Sequence, residues 1–260
     1  MRCDGTPRGV RRRYGYAVQG LVCAVSAATL VACGSGRPGP LRIGMTPWAG
    51  NEFLFLGEAK GFFAAEGVEV QLAETAAVDD VVRAFTHGAI EGMTGTLADV
   101  LDARARTPRA PRAVMALGTS SSTDVILARA RVVTVGDGEG DEDLSDEVFD
   151  VLAIAADVLE RRPREASALV RAWDRTLAFA AENRTEADDI MARHAEVSVE
   201  ELRDALAGIR MLTSREQRPL FAPDGPLVTA VEAMAAAMHD GGVAVDCLAP
   251  EPLARAGGRR

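Results

Sequence analysis

Lysine is nearly absent from this chain. Lys60 is the only one among 29 basic residues, against 38 acidic residues and a formal net charge of −9. The arginines crowd the start, with Arg2, Arg8, Arg11, Arg12 and Arg13 facing one acid, Asp4, so the remainder is more acidic than the total. That excludes nucleic acid as a partner, because its phosphates need basic patches. It also excludes peripheral binding to anionic lipid without an anchor. Cysteine is scarce too. Cys3 and Cys23 fall in the first segment, Cys33 closes it and Cys247 stands alone, so no intrachain disulfide is expected. Catalytic signatures are missing. There is no HExxH and no phosphate loop. Gly118-Thr119-Ser120-Ser121-Ser122 lacks the spacing of a nucleophile elbow and has no histidine to serve it. His87, His194 and His239 are scattered and read as cap or surface residues. The acidic run from Asp137 to Asp143 alternates with glycine like part of a calcium loop, but lacks the glycine at position six and the acid at position twelve. No enzyme activity, metal or cofactor is expected.

What is present begins with an export signal: a basic start, an apolar middle from Ala17 to Leu30, then small residues before a cysteine. Leu30-Val31-Ala32-Cys33 resembles the lipobox of bacterial lipoproteins. The resemblance implies cleavage before Cys33, lipid attachment at its thiol, and a location outside the cytoplasmic membrane, anchored by the lipid. Two other readings stay open. Tyr16 to Ala32 is at the short limit for an uncleaved membrane anchor, and a plain secretory signal would leave Cys33 incidental. Arg11-Arg12-Arg13 hints at twin-arginine export without the rest of that pattern. Residues 34–40 (GSGRPGP) read as a flexible tether.

Beyond the tether, extended and helical patterns alternate. Leu41 to Thr46 reads as a strand. Asn51 is placed to cap a helix running to about Glu66 and stopping at Gly67. Val68 to Leu72 is a second strand, Val78 to His87 a helix with Gly88 past its end, and Ile90 to Met93 a short strand. Leu97 to Arg106 is helical and Ala113 to Leu117 is a buried-type strand. This alternation predicts an α/β fold with a parallel sheet and helices on its faces, and ligands at the carboxyl ends of strands. Val125 to Ala128 and Val132 to Val135 are extended. The acidic glycine-rich segment after them has nothing to bury. Phe149 to Ile154 is a returning strand. Helices follow: Pro163 to about Ala181 with Trp173 in an apolar stripe, a short one from Thr185, one behind the capping box Ser198-Val199-Glu200-Glu201, and a last one from Pro226 towards Gly241.

Three segments resemble the substrate-binding proteins of ABC importers, in the group that covers sulfonate, taurine, nitrate and thiamine-precursor binders. They are Leu41-Arg42-Ile43-Gly44 through Trp48-Ala49-Gly50 to Glu58-Ala59-Lys60-Gly61-Phe62-Phe63; Gly88-Ala89-Ile90-Glu91-Gly92 with Thr94-Gly95-Thr96-Leu97-Ala98-Asp99; and Asp150-Val151-Leu152 with Arg162-Pro163, Leu169-Val170-Arg171-Ala172-Trp173 and Glu182-Asn183. The resemblance implies a type II periplasmic-binding-protein-like fold of two lobes, a ligand in the cleft, and a permease pair and an ATPase as partners. Thr123 to Arg129 looks like the outward crossing and Phe149 to Ile154 the return. Between them the family has a lobe of roughly a hundred residues, and here there is only the acidic stretch. The resulting domain reading is 1–33 signal and lipobox, 34–40 tether, 41–135 first part of lobe one, 136–147 acidic linker in place of lobe two, and 148–260 completion of lobe one. The expected function is capture of a small anionic or thiamine-precursor-like solute by a monomer. The alternative is a non-transporting single-lobe surface lipoprotein.

The candidate ligand residues are those at strand ends. Trp48 offers a flat apolar wall. Gly50 and Asn51 open a helix whose N–H groups suit an anion. Thr94, Gly95 and Thr96 stand in the same relation to the next helix, and Thr119, Ser120 and Ser121 add hydroxyls near the crossing.

Overall fold

The computed structural model describes residues 39–121 and 147–237. The signal with Cys33, most of the tether, the outward crossing from Thr123 to Arg129, Val132 to Val135, the acidic run, His239, Gly241 and Cys247 lie outside the described residues.

The chain opens with β1 (Leu41–Met45), a 3-10 turn (Ala49–Asn51), α1 (Glu52–Ala59), α2 (Phe62–Ala65), β2 (Val70–Glu74), α3 (Val78–Thr86), β3 (Gly92–Thr96), α4 (Leu97–Arg106) and β4 (Pro111–Ser121). After the second boundary come β5 (Glu147–Ala155), α5 (Ala156–Arg161), α6 (Pro163–Glu182), α7 (Arg184–His194), α8 (Val199–Leu206), β6 (Ile209–Met211), α9 (Ser214–Gln217), a 3-10 turn (Arg218–Phe221) and α10 (Pro226–Ala237). Six strands form one sheet in the order β2-β1-β3-β5-β4-β6.

The α/β class holds, but the sheet is mixed rather than parallel. β1 is parallel to β2 and β3, whereas β5 runs antiparallel to both β3 and β4, and β6 is antiparallel to β4. A parallel neighbour requires the chain to return to the opposite edge, usually through a helix. Here β5 starts at the edge where β4 ends, Ser121 pairing with Glu147, so their directions must oppose.

The single helix expected from Asn51 to Glu66 is two. Gly61 sits at φ +69°, a left-handed conformation open to glycine at little cost, and it turns the chain between α1 and α2. Asn51 does not cap α1; its Nδ2 donates instead to the Thr46 carbonyl at 2.9 Å. The Thr96 and Ser198 capping boxes are both formed. The edge strand β6 and the helix α9, itself opened by a Thr213–Glu216 capping box, were not anticipated.

The core lies between the sheet and its helices. Trp173 is fully buried in α6, packs edge-on against Phe53 with centroids 6.2 Å apart, and donates from Nε1 to the Leu212 carbonyl at 2.8 Å. It thereby ties the longest helix to the segment that follows β6. A smaller cluster, Leu56 with Ala187, Met191 and Leu202, joins α1 to α7 and α8.

Trp173→Ala is expected to lower unfolding free energy by about 3–5 kcal/mol in a urea titration, the usual cost of emptying a large buried aromatic site. Trp173→Phe is expected to cost less, about 1–3 kcal/mol, mainly by stranding the Leu212 carbonyl.

Candidate functional site

The pairing brings the carboxyl ends of β1, β3 and β4 and the amino end of β5 to one edge of the sheet. The three groups of predicted site residues therefore share that edge. Directly paired residues point to one face. Thr94 pairs with Leu152, Thr96 with Asp150 and Ser120 with Val148, so Thr94, Thr96 and Ser120 share a face and Thr119 takes the other.

Each residue occupies a different setting. Trp48 is half-buried, and its indole folds over Gly50: a Cβ at Gly50 would fall 2.1 Å from the ring. The N–H of Asn51 donates to the Trp48 carbonyl at 2.9 Å, so the first turn closes on itself. At the next helix the Asp99 carboxylate accepts from the Thr96 N–H at 3.0 Å and from its hydroxyl at 2.8 Å, and Gly95 lies against the same side chain. A carboxylate of the chain thus already fills the place that an anion would take. Thr94, Thr119 and Ser120 are buried, and Ser121 ends β4 as the backbone partner of Glu147.

Three polar atoms on this edge have no hydrogen-bond partner: Asn51 Oδ1, Thr94 Oγ1 and Ser120 Oγ. Buried polar groups are nearly always paired. Three such atoms without a partner among the described residues, one from each predicted segment, lie near these strand ends.

Beside Trp48 opens a cleft of about 690 Å³ between the start of α1, the end of β2 and the α7–α8 turn. Its base holds Glu52, buried at 5% exposure. The His194 ring bridges to it, Nδ1 lying 2.8 Å from Glu52 Oε2, and stacks on Phe55 with centroids 3.6 Å apart. His194, read from sequence as a cap or surface residue, ends α7 but is tied into this cleft. Glu52 was not anticipated. It lies 142 positions from His194, and nothing local in the sequence announces the pair. On the other side of the Pro47 loop a shallower depression of about 460 Å³ is lined by Thr46, Pro47, Ala76, Ala77 and Val78. Among the described residues no cluster of His, Cys, Asp and Glu is arranged to hold a metal ion.

No protein-family model matches the chain, and no curated protein sequence shows significant similarity to it. Solved structures do match in fold. A Candida albicans protein described as having the generic periplasmic binding protein fold superposes with a TM-score of 0.57 at 10% identity, over 78% of this chain and 91% of the other. The ligand-binding component of an ABC-type import system from Staphylococcus aureus gives 0.57 at 12% identity, over 86% and 100%. The periplasmic aliphatic sulphonate binding protein SsuA of Escherichia coli gives 0.55 at 11%, over 81% and 96%. The chain therefore has the periplasmic-binding-protein fold.

Burial lifts the Glu52 carboxyl above its ordinary value of 4.5, against the bond and charge of His194, and Glu74 adds to the lift. The fold thus favours the protonated carboxyl. The stability this gives is complete below the ordinary carboxylate range and is lost as pH rises through the raised value. Glu52→Gln carries no such titration. Its stability relative to the parent chain is expected to improve as pH rises from ~4 to ~7, read as urea midpoints at each pH. A difference that stays constant across that window would rule out the burial effect.

Proposed function

We propose that this chain is the solute-binding component of an ABC importer, held outside the cytoplasmic membrane by lipid on Cys33 and delivering its ligand to a membrane permease driven by a cytoplasmic ATPase. The fold supports this, since proteins that share it bind solutes for such importers. The observation that carries the reading is the convergence of the Asn51, Thr94 and Ser120 segments at one end of the sheet, where three buried polar atoms have no partner among the described residues. They lie on the strand-end edge, where sheets of this class hold ligands. The ligand we infer is small, in the sulfonate, nitrate, taurine or thiamine-precursor range. The Thr94 and Ser120 hydroxyls are its donors, and Trp48, Gly50, Gly95, Thr96, Thr119 and Ser121 frame the site. The two helix starts contribute less to anion binding than their positions suggest, because the Asn51 and Thr96 N–H groups already have acceptors within the chain.

A second reading is a single-lobe surface lipoprotein that does not transport. It is favoured by the direct pairing of β4 with β5. That pairing closes the sheet across a connection far shorter than a lobe of roughly a hundred residues.

A thermal-shift screen against sulfonates, nitrate and pyrimidines separates the two. A ligand at a hundred times its Kd adds about 2.7 kcal/mol, and a rise in Tm is the expected outcome. Thr94→Val and Ser120→Ala are expected to abolish that rise while leaving the unliganded Tm unchanged or higher, since neither hydroxyl has a partner to lose. A screen in which every ligand leaves Tm unchanged favours the non-transporting reading. For the anchor, Cys33→Ser is expected to eliminate incorporation of labelled palmitate and to release the protein from the membrane fraction; labelling that persists excludes Cys33 as the lipid site.

A further inference from the structure

The cleft beside Trp48 is acidic. Among the described residues its lining includes Glu52, Glu74, Glu196 and Glu201, with His194 as the only basic side chain. Elsewhere in the fold, partly or fully buried carboxylates meet guanidinium groups: Glu91 with Arg42, Glu66 with Arg171, Asp188 with Arg203. Glu52 meets an imidazole instead, and only through Oε2. No hydrogen bond reaches its Oε1 among the described residues. Glu52 lines the cleft, and a cation seated there would add a second partner beside His194 and favour the ionised carboxylate.

The walls suit such a partner. Trp48 lines the cleft with its ring against Gly50, and Phe55 lines it with its ring stacked on His194. Aromatic faces attract cations through the ring quadrupole, and quaternary ammonium groups most of all when desolvated. Val197, the one large apolar side chain well exposed among the described residues at 42%, stands on the rim of the same cleft. The cleft's volume of about 690 Å³ falls within the usual range for small-molecule sites.

We propose that this cleft binds an organic cation, an ammonium or quaternary ammonium group on a short apolar body, with Glu52 and Glu74 opposing the charge, Trp48 covering it and Val197 contacting the apolar end. This goes beyond the strand-end solute site, which lies on the hydroxyl side of the same edge and does not use these carboxylates.

Isothermal titration of the full chain with choline, and with its neutral isostere 3,3-dimethylbutan-1-ol, tests the proposal. Choline is expected to bind at least about tenfold more tightly than the alcohol, the scale of one desolvated cation–π contact. Trp48→Leu and Glu52→Gln are each expected to weaken choline about tenfold or more. Glu74→Gln, an exposed change at a strand end that leaves the core intact, is expected to weaken it by a smaller factor. Thr94→Val is expected to leave choline binding unchanged, whatever it does to the strand-end solute. Equal affinity for choline and the alcohol, no heat from choline, or choline binding unaffected by all three cleft substitutions would each overturn the assignment. None of those results touches the solute-binding reading, which rests on Thr94 and Ser120.

Discussion

The antiparallel ladder between β4 and β5 is the contact on which the rest of the molecule depends. It runs from Pro111 opposite Ala155 to Ser121 opposite Glu147, with two irregularities on the way. Before it, the chain has built β1 to β3 and their helices. After it, the chain supplies α6, whose Trp173 fills the core, and β6, which closes the far edge. Neither stretch is complete alone. β3 needs β5 for its outer hydrogen bonds, and α6 needs the sheet to cover its apolar stripe. The ladder also aligns the ends of β1, β3 and β4 and so brings the candidate site residues together.

Much of this architecture is written locally. The helix over 97–106 begins where Thr96 meets an acid three residues on and ends where the apolar pattern stops, and it forms with the bounds expected. Pro163 opens α6 for the same kind of reason: its fixed φ suits a first turn and its missing N–H costs nothing there. Strand direction is not written locally. Val151 to Ile154 would be as apolar in a parallel strand as in an antiparallel one, and only the edge at which the chain re-enters decides between them. β6 escaped notice because three residues, Ile209 to Met211, carry no period. The Thr213–Glu216 box beside it is, by contrast, a local signal of a helix start.

The site divides in the same way. Trp48 follows a strand end, and Thr94 and Ser120 lie in the last residues of β3 and β4; the sequence pattern places all three at one end of the sheet. What those positions offer to a ligand is not written in that pattern. The Thr96 N–H looks available until Asp99 is seen to occupy it, although a threonine followed by an acid three residues later is itself the signature of a self-satisfied helix start. Glu52 and His194 are distant in sequence, and their meeting depends on α1 packing against α7. No spacing rule spans that distance; only the assembled core brings an acid and an imidazole to the same wall.

The junction at Ser121 and Glu147 has a further consequence. Because these residues are backbone partners, the sheet meets whatever joins them at two adjacent points on one rim. The entropy of closing such a connection grows only slowly with its length. Closing the sheet between these two strand ends therefore costs little more for a long connection than for a short one. The length of chain joining β4 to β5 thus weighs little against the ladder that fixes their register.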